Sequence, residues 1–258
     1  MQHITVSQVG HVTTVTLNRP EVLNAINPVM HDELEMAFNA FEDDSDQYIC
    51  VVKGAGRGFC AGSDLKAAAA AGSHVAYPAH GYAGLVQRFH CPKPFIASVN
   101  GLALGGGFEI ALACDVIVAA ESASFGLPEP LVGAVALGGG LHRLARQIGL
   151  KQAMGMILSS RKVDAAEALG LGIATEVVPD GDLSAATERW CEAILKASPM
   201  SIRASKDTVM RGLDEPSLEA AMQSQERFPA FAAWRQSEDA REGPRAFAER
   251  RVPVWKGR

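Results

Sequence analysis

Three short stretches carry residue types suited to acid–base chemistry on a polarised carbonyl. In PFIASVNGLALGGGFEIALACD (94–115), Phe95, Ile96, Ala97 and Val99 form an apolar run bounded by Pro94 and Asn100-Gly101, and helical spacing begins at Phe108. Gly105, Gly106 and Gly107 fall at the helix start, where backbone N–H groups lack intrahelical partners and no side chain screens them from a ligand. Such a turn attracts anions. Glu109, just beyond it, sets an acid or base beside those donors, as a transition state with negative charge on oxygen requires. Taken alone, the same residues also read as a tight strand-to-helix turn with a solvated glutamate.

The second stretch is GFCAGSDLK (58–66). Gly58 and Gly62 permit a sharp turn and Asp64 complements the start of a short helix, which leaves the N–H of Ser63 free to donate, with Lys66 nearby. Ser63 as a nucleophile lacks the G-x-S-x-G elbow, and Cys60 beside a phenylalanine reads as a small buried hydrophobe. The third is Glu129, set between Pro128 and Pro130 with apolar Leu127, Leu131 and Val132 around it. Desolvation there raises a carboxyl pKa toward that of a neutral-pH proton donor; an exposed loop is the alternative. Two carboxylates alone would also fit glycoside cleavage. Pairing them with two glycine-rich donor turns favours a carbonyl whose oxygen becomes anionic.

The elements that must position these groups follow from periodicity. Ile4 to Val9 and Val12 to Leu17 alternate around Gly10-His11 as a hairpin. Asn27 caps a helix with Pro28 at its first position, and Met30, Leu34, Ala37, Phe38 and Phe41 carry it to about Asp44. Tyr48 to Val52 and Val116 to Ala120 read as buried strands, so the chain alternates strand and helix as an α/β unit with crossover connections. In AAAAAGSHVAYPAHGYAGLVQRFH the alanines favour helix while Gly72-Ser73 and Pro78 interrupt it. A mobile segment over a pocket lined by Tyr77, His80 and Tyr82 is expected, with an ordinary surface loop as the alternative. From Ser198 the chain is helical, with Pro199 and Pro216 at helix starts and more apolar positions than one small layer buries, which points to an oligomer.

At 258 residues and 48% hydrophobic content the chain has ample core for one large domain. No run of eighteen apolar residues and no signal peptide are evident, so no membrane partner and a cytoplasmic location are expected. Five cysteines without a C-x-x-C pair argue for reduced thiols and against a zinc site. The net charge of -5 disfavours a nucleic-acid partner, leaving room for local basic pockets.

LNRPEVLNAIN, GRGFCAGSDLK, VNGLALGGGFEIALACD, FGLPEPLVG, ALGLGIATEVVP and the terminal SEDAREGPRAFAERRVPVWKGR together resemble the crotonase, or enoyl-CoA hydratase/isomerase, superfamily over nearly the whole chain. The resemblance implies an α/β spiral of repeated ββα units over residues 1–197 and a helical trimerisation region over 198–258, assembling as a homotrimer or a hexamer. It implies acyl-CoA thioester substrates and neither a metal nor a separate cofactor, coenzyme A entering as part of the substrate. Carried across by motif, the oxyanion donors fall on the N–H groups of Ser63 and Gly106. Glu109 would deprotonate the water that attacks Cβ, and Glu129 would protonate Cα. The family's CoA contacts fall on Val22, Leu23 and Ala25 and on Ala61, Asp64 and Leu65, with Lys66 and, from a neighbouring subunit, Arg250 as phosphate partners.

One departure from the hydratase pattern is Ala136-Leu137 in GAVALGGG. The resemblance implies that the N–H at position 137 helps to place the water, while the leucine side chain narrows the acyl pocket. GSDLKAAAA and the C-terminal segment look most like carnitinyl-CoA dehydratases, whose quaternary ammonium would suit Tyr77 or Tyr82. The primary expectation is therefore an enoyl-CoA hydratase. Carnitinyl-CoA dehydration, enoyl-CoA isomerisation and acyl-CoA binding without turnover are the alternatives.

Overall fold

A computed structural model describes residues 1–71 and 76–258. The expected mobile segment falls in part on 72–75 and there lies outside the described residues. Among the described residues ten strands form two sheets. β1 (Ile4–Val9), β2 (Val12–Leu17), β3 (Ile49–Gly54), β5 (Phe95–Val99), β7 (Val116–Ala120) and β10 (Glu176–Val178) make a six-stranded sheet in that order. β4 (Gly58–Cys60), β6 (Leu102–Leu104), β8 (Ser124–Gly126) and β9 (Val163–Asp164) make a second. Among the described residues only β1/β2 and β8/β9 are antiparallel.

The connectivity is a spiral. β3, β5 and β7 each feed a short strand of the second sheet, and β4 and β6 are followed by α2 (Leu65–Ala71) and α3 (Gly106–Ala113). Residues along β3 alternate between two cores. Cys50 and Val52 face one side with Phe38 and Phe41 of α1 (Pro28–Asp43), and Ile49 and Val51 face the other with Ala186 and Cys191 of α7 (Leu183–Leu195). The central strands β3, β5 and β7 are buried on both faces and read as continuous apolar runs, whereas β1 and β2 lie at the edge and read as alternation.

The local signals act as expected at several ends. Asn27 Oδ1 accepts the N–H of Met30 at 2.9 Å to start α1, with Pro28 at the first position. In chain order α4 (Gly140–Gln147), α5 (Leu150–Ser159) and α6 (Ala165–Leu171) precede α7, which packs directly on the six-stranded sheet. The C-terminal part comprises α8 (Pro199–Gly212), α9 (Leu218–Ser224), α10 (Pro229–Gln236) and α11 (Glu238–Ala248). α10 and α11 pack on α8, and Lys206 of α8 ties this layer to the sheet by bonding Asp115 and the Lys93 carbonyl, each at 2.8 Å. All five cysteines are buried and unpaired. Among the described residues no helix is long and apolar enough to cross a membrane.

Candidate active site

The first donor turn is built by a loop-to-loop zipper. Leu23 and Asn24 adopt left-handed backbone (φ 55° and 57°), and the fully buried Asn24 donates to the carbonyls of Ala55, Gly58 and Phe59 at 2.8–3.1 Å. The N–H of Ala61 then reaches the Leu23 carbonyl at 2.9 Å, the N–H of Ile26 the Gly62 carbonyl at 2.8 Å, and the N–H of Asp64 the Ile26 carbonyl at 2.9 Å. Ile26 and Ser63 thereby form a parallel bridge, with the N–H of Ser63 directed away from it. Val22, Leu23 and Ala25 are brought beside Ala61, Asp64 and Leu65, the two segments singled out for CoA. Asp64 itself is engaged by Arg19 at 3.0 Å and caps α2 through the Ala67 N–H, so its carboxylate serves the scaffold. Lys66 is exposed beside it. Arg250 lies past α11 in the C-terminal layer, and among the described residues no bond runs from it to these loops.

The second donor turn abuts the first. A Cβ placed on Gly62 would stand 3.1 Å from the Gly106 nitrogen, so the two turns are in contact there. Among the described residues the N–H groups of Ser63 and Gly106 have no acceptor within the chain.

Both glutamates converge here. Glu109, 3% exposed in the first turn of α3, accepts the Gly140 N–H at 2.9 Å through Oε1. Burial pushes its carboxyl up to about 7, opposed by the Gly140 N–H, aided by the negative charge of Glu129, and opposed again by the Gly138 N–H and Arg143. Glu129 lies over the same turn. A Cβ on Gly105 would meet its Oε1 at 2.9 Å, and its Oε2 is buried without a hydrogen-bond partner among the described residues. Burial raises its pKa, and its own N–H opposes the rise.

Several contributors escaped sequence reasoning. Gly138 and Gly140 lean on Glu109 so closely that a Cβ on either would collide with its side chain. In GAVALGGG the sequence singles out only Ala136-Leu137, and nothing local in it points to Glu109 as the partner of Gly138 and Gly140. The expectation for Leu137 requires correction. Its N–H donates to the Val135 carbonyl at 2.9 Å because the chain tightens into a turn there, and its side chain is 78% exposed. The N–H groups that meet Glu109 are those of Gly138 and Gly140. Cys60 is buried with its thiol pushed up to about 12, as suits a packing residue. Asn24, Arg19 and His31 also organise the site; Asn24 and Arg19 lie in the LNRPEVLNAIN stretch but their partners were not evident from it.

Residues 8–258 match the family model described as enoyl-CoA hydratase/isomerase. The chain belongs to the enoyl-CoA hydratase/isomerase family. It is 40% identical over 253 residues to a carnitinyl-CoA dehydratase of Proteus mirabilis, with 96% of each chain covered. It is 39% identical over 256 residues to one of Salmonella typhi, again with 96% of each covered. An enoyl-CoA hydratase from Mycobacterium tuberculosis superposes with a TM-score of 0.92 at 35% identity, covering 100% of both chains. The ββα spiral expected of this enoyl-CoA hydratase/isomerase family member is thus its fold.

Proposed function

We propose that this chain hydrates 2-enoyl-CoA thioesters and catalyses the reverse dehydration. The observation that carries the reading is the convergence of two desolvated carboxyls, Glu109 and Glu129, on the Gly105–Gly106 turn, where the two unpartnered N–H groups of Ser63 and Gly106 also meet. Ionised Glu109 takes a proton from water as its oxygen bonds to Cβ. The π electrons move toward the thioester carbonyl, whose oxygen gains charge between the two N–H donors, and protonated Glu129 delivers its proton to Cα. One proton then returns from Glu109 to Glu129 through solvent to close the cycle. Coenzyme A lies against Val22, Leu23, Ala25, Ala61 and Leu65 in this reading, with Lys66 at its phosphates and Arg250 reaching in from a neighbouring subunit of a trimer or hexamer. Exposed Leu213, Leu218, Met222 and Phe247 of the C-terminal layer supply apolar surface for that assembly.

A specific feature favours carnitinyl-CoA dehydration as a second reading. Tyr77, 54% exposed, packs edge-on to Tyr82 and His31 at 5.6 and 5.2 Å, and its phenol pKa is raised by burial and by nearby Glu109. An aromatic face beside the acid–base pair suits a quaternary ammonium at the acyl end. Following the loss of conjugated thioester absorbance with crotonyl-CoA, longer 2-enoyl-CoAs and crotonobetainyl-CoA separates the two. Hydration of simple enoyl-CoAs at comparable or higher kcat/KM supports the first reading; turnover of crotonobetainyl-CoA alone supports the second; binding of all without turnover contradicts both.

A further inference from the structure

The turn from Gly81 to Gly84 contains three residues of positive φ, Gly81 at 75°, Ala83 at 55° and Gly84 at 63°. Ala83 carries a Cβ, so its left-handed conformation is strained and something must hold it. Its N–H donates to Nδ1 of His31 at 2.9 Å. His31 is 4% exposed, and burial pushes its pKa down to about 4 against the opposing charge of Asp32, so the ring stays neutral with Nδ1 as acceptor.

The product of this turn is the aim of Tyr82. The residue is 4% exposed, its ring stands edge-on to His31 at 4.7 Å, and its hydroxyl accepts from Ser63 Oγ at 3.2 Å. The hydroxyl end of the ring also presses on Gly106 and fills the space that a Cβ there would need. One phenol therefore touches both turns that carry the unpartnered N–H groups.

We infer that Tyr82 is a positioning residue for the oxyanion hole, its hydroxyl bonded to Ser63 and packed on Gly106 so that the spacing of the two N–H donors is fixed. The inference rests on the enoyl-thioester reading above. An oxyanion hole works through preorganised donors, and a phenol wedged between them resists their drift apart. Tyr82→Phe keeps the ring against Gly106 and His31 and removes only the bond to Ser63, while Ser63→Ala removes the same bond from the other side.

The test combines kinetics with infrared spectra of crotonyl-CoA isotopically labelled at the thioester carbonyl, whose stretch moves to lower frequency when donors polarise it. The expected result for Tyr82→Phe is a carbonyl band displaced back toward its solution position. Its kcat falls about 3- to 10-fold, the scale of one hydrogen bond, and KM changes by less than about 2-fold. Ser63→Ala should match it, and the double variant should be no worse than the poorer single one, because both remove one shared bond. A wild-type band and wild-type kcat in Tyr82→Phe, or losses that multiply in the double variant, overturn the inference while wild-type hydration leaves the reading of the site intact. A wild-type protein that binds the thioester but neither hydrates it nor shifts its carbonyl overturns both.

Discussion

Glu109 Oε1 accepts the backbone N–H of Gly140 at 2.9 Å across 31 residues of sequence. The carboxyl that burial has pushed up to about 7 is thus held from the start of another helix. If its ionised form is the base, the hydration rate falls toward tenfold per unit as pH drops below about 7. A pH profile of kcat that stays flat down to about pH 5 would contradict the assignment.

The same shift has a consequence for stability. The folded pKa of Glu109 is raised above its ordinary value of 4.5, so the folded state binds more protons between the two values. This group's contribution is fully present below about 4.5 and is lost as pH rises through about 7. Relative to Glu109→Gln, the wild type is expected to lose on the order of 2–3 kcal/mol between about pH 5 and pH 8. Urea unfolding of both proteins at the two pH values measures the difference, and a constant difference would contradict it.

Gly140 has no room for a Cβ. The added atom would stand 2.9 Å from Glu109 Cγ and 3.1 Å from Leu127 Cδ2, so the glutamate must swing away. Gly140→Ala is expected to lower kcat by at least about 10-fold, the lower part of the range for a displaced acid or base, with CoA affinity and circular dichroism preserved. Steady-state kinetics paired with CoA titration check this.

Asn24 ties the 22–25 loop to the strand that leads into the Ser63 turn. Asn24→Asp replaces the amide that donates to three carbonyls with a buried acceptor. The cost is expected at about 2–4 kcal/mol, as for a broken buried hydrogen-bond cluster, with weaker CoA binding. Denaturant unfolding and calorimetric titration read the two effects separately.

What was legible in the sequence was what is local. Glycines at a helix start, prolines flanking Glu129 and the Asn27 cap each act within a few residues, and each marks its feature. Alternation of strand and helix marked an α/β unit with crossovers, while the spiral came from the family resemblance, because Ile49–Gly54, Phe95–Val99 and Val116–Ala120 share only the apolar character of strands buried on both faces. Contacts made by topology were not legible. Nothing near Gly140 names Glu109, and nothing near His31 names Ala83, 52 residues away. The Leu137 expectation failed for a related reason, since family resemblance placed an N–H by position whereas the local turn had already engaged it with Val135.

Glu109 and Glu129 as the acid–base pair of an enoyl-CoA hydratase are tested most directly by steady-state hydration with Glu109→Gln and Glu129→Gln, measured alongside CoA-ligand binding. Glutamine preserves shape and removes the ionisable proton. Each variant is expected to show at least about 100-fold lower turnover, the scale of one general acid or base, with ligand affinity nearly unchanged. Near wild-type hydration by either variant would contradict the two-carboxylate mechanism for this chain.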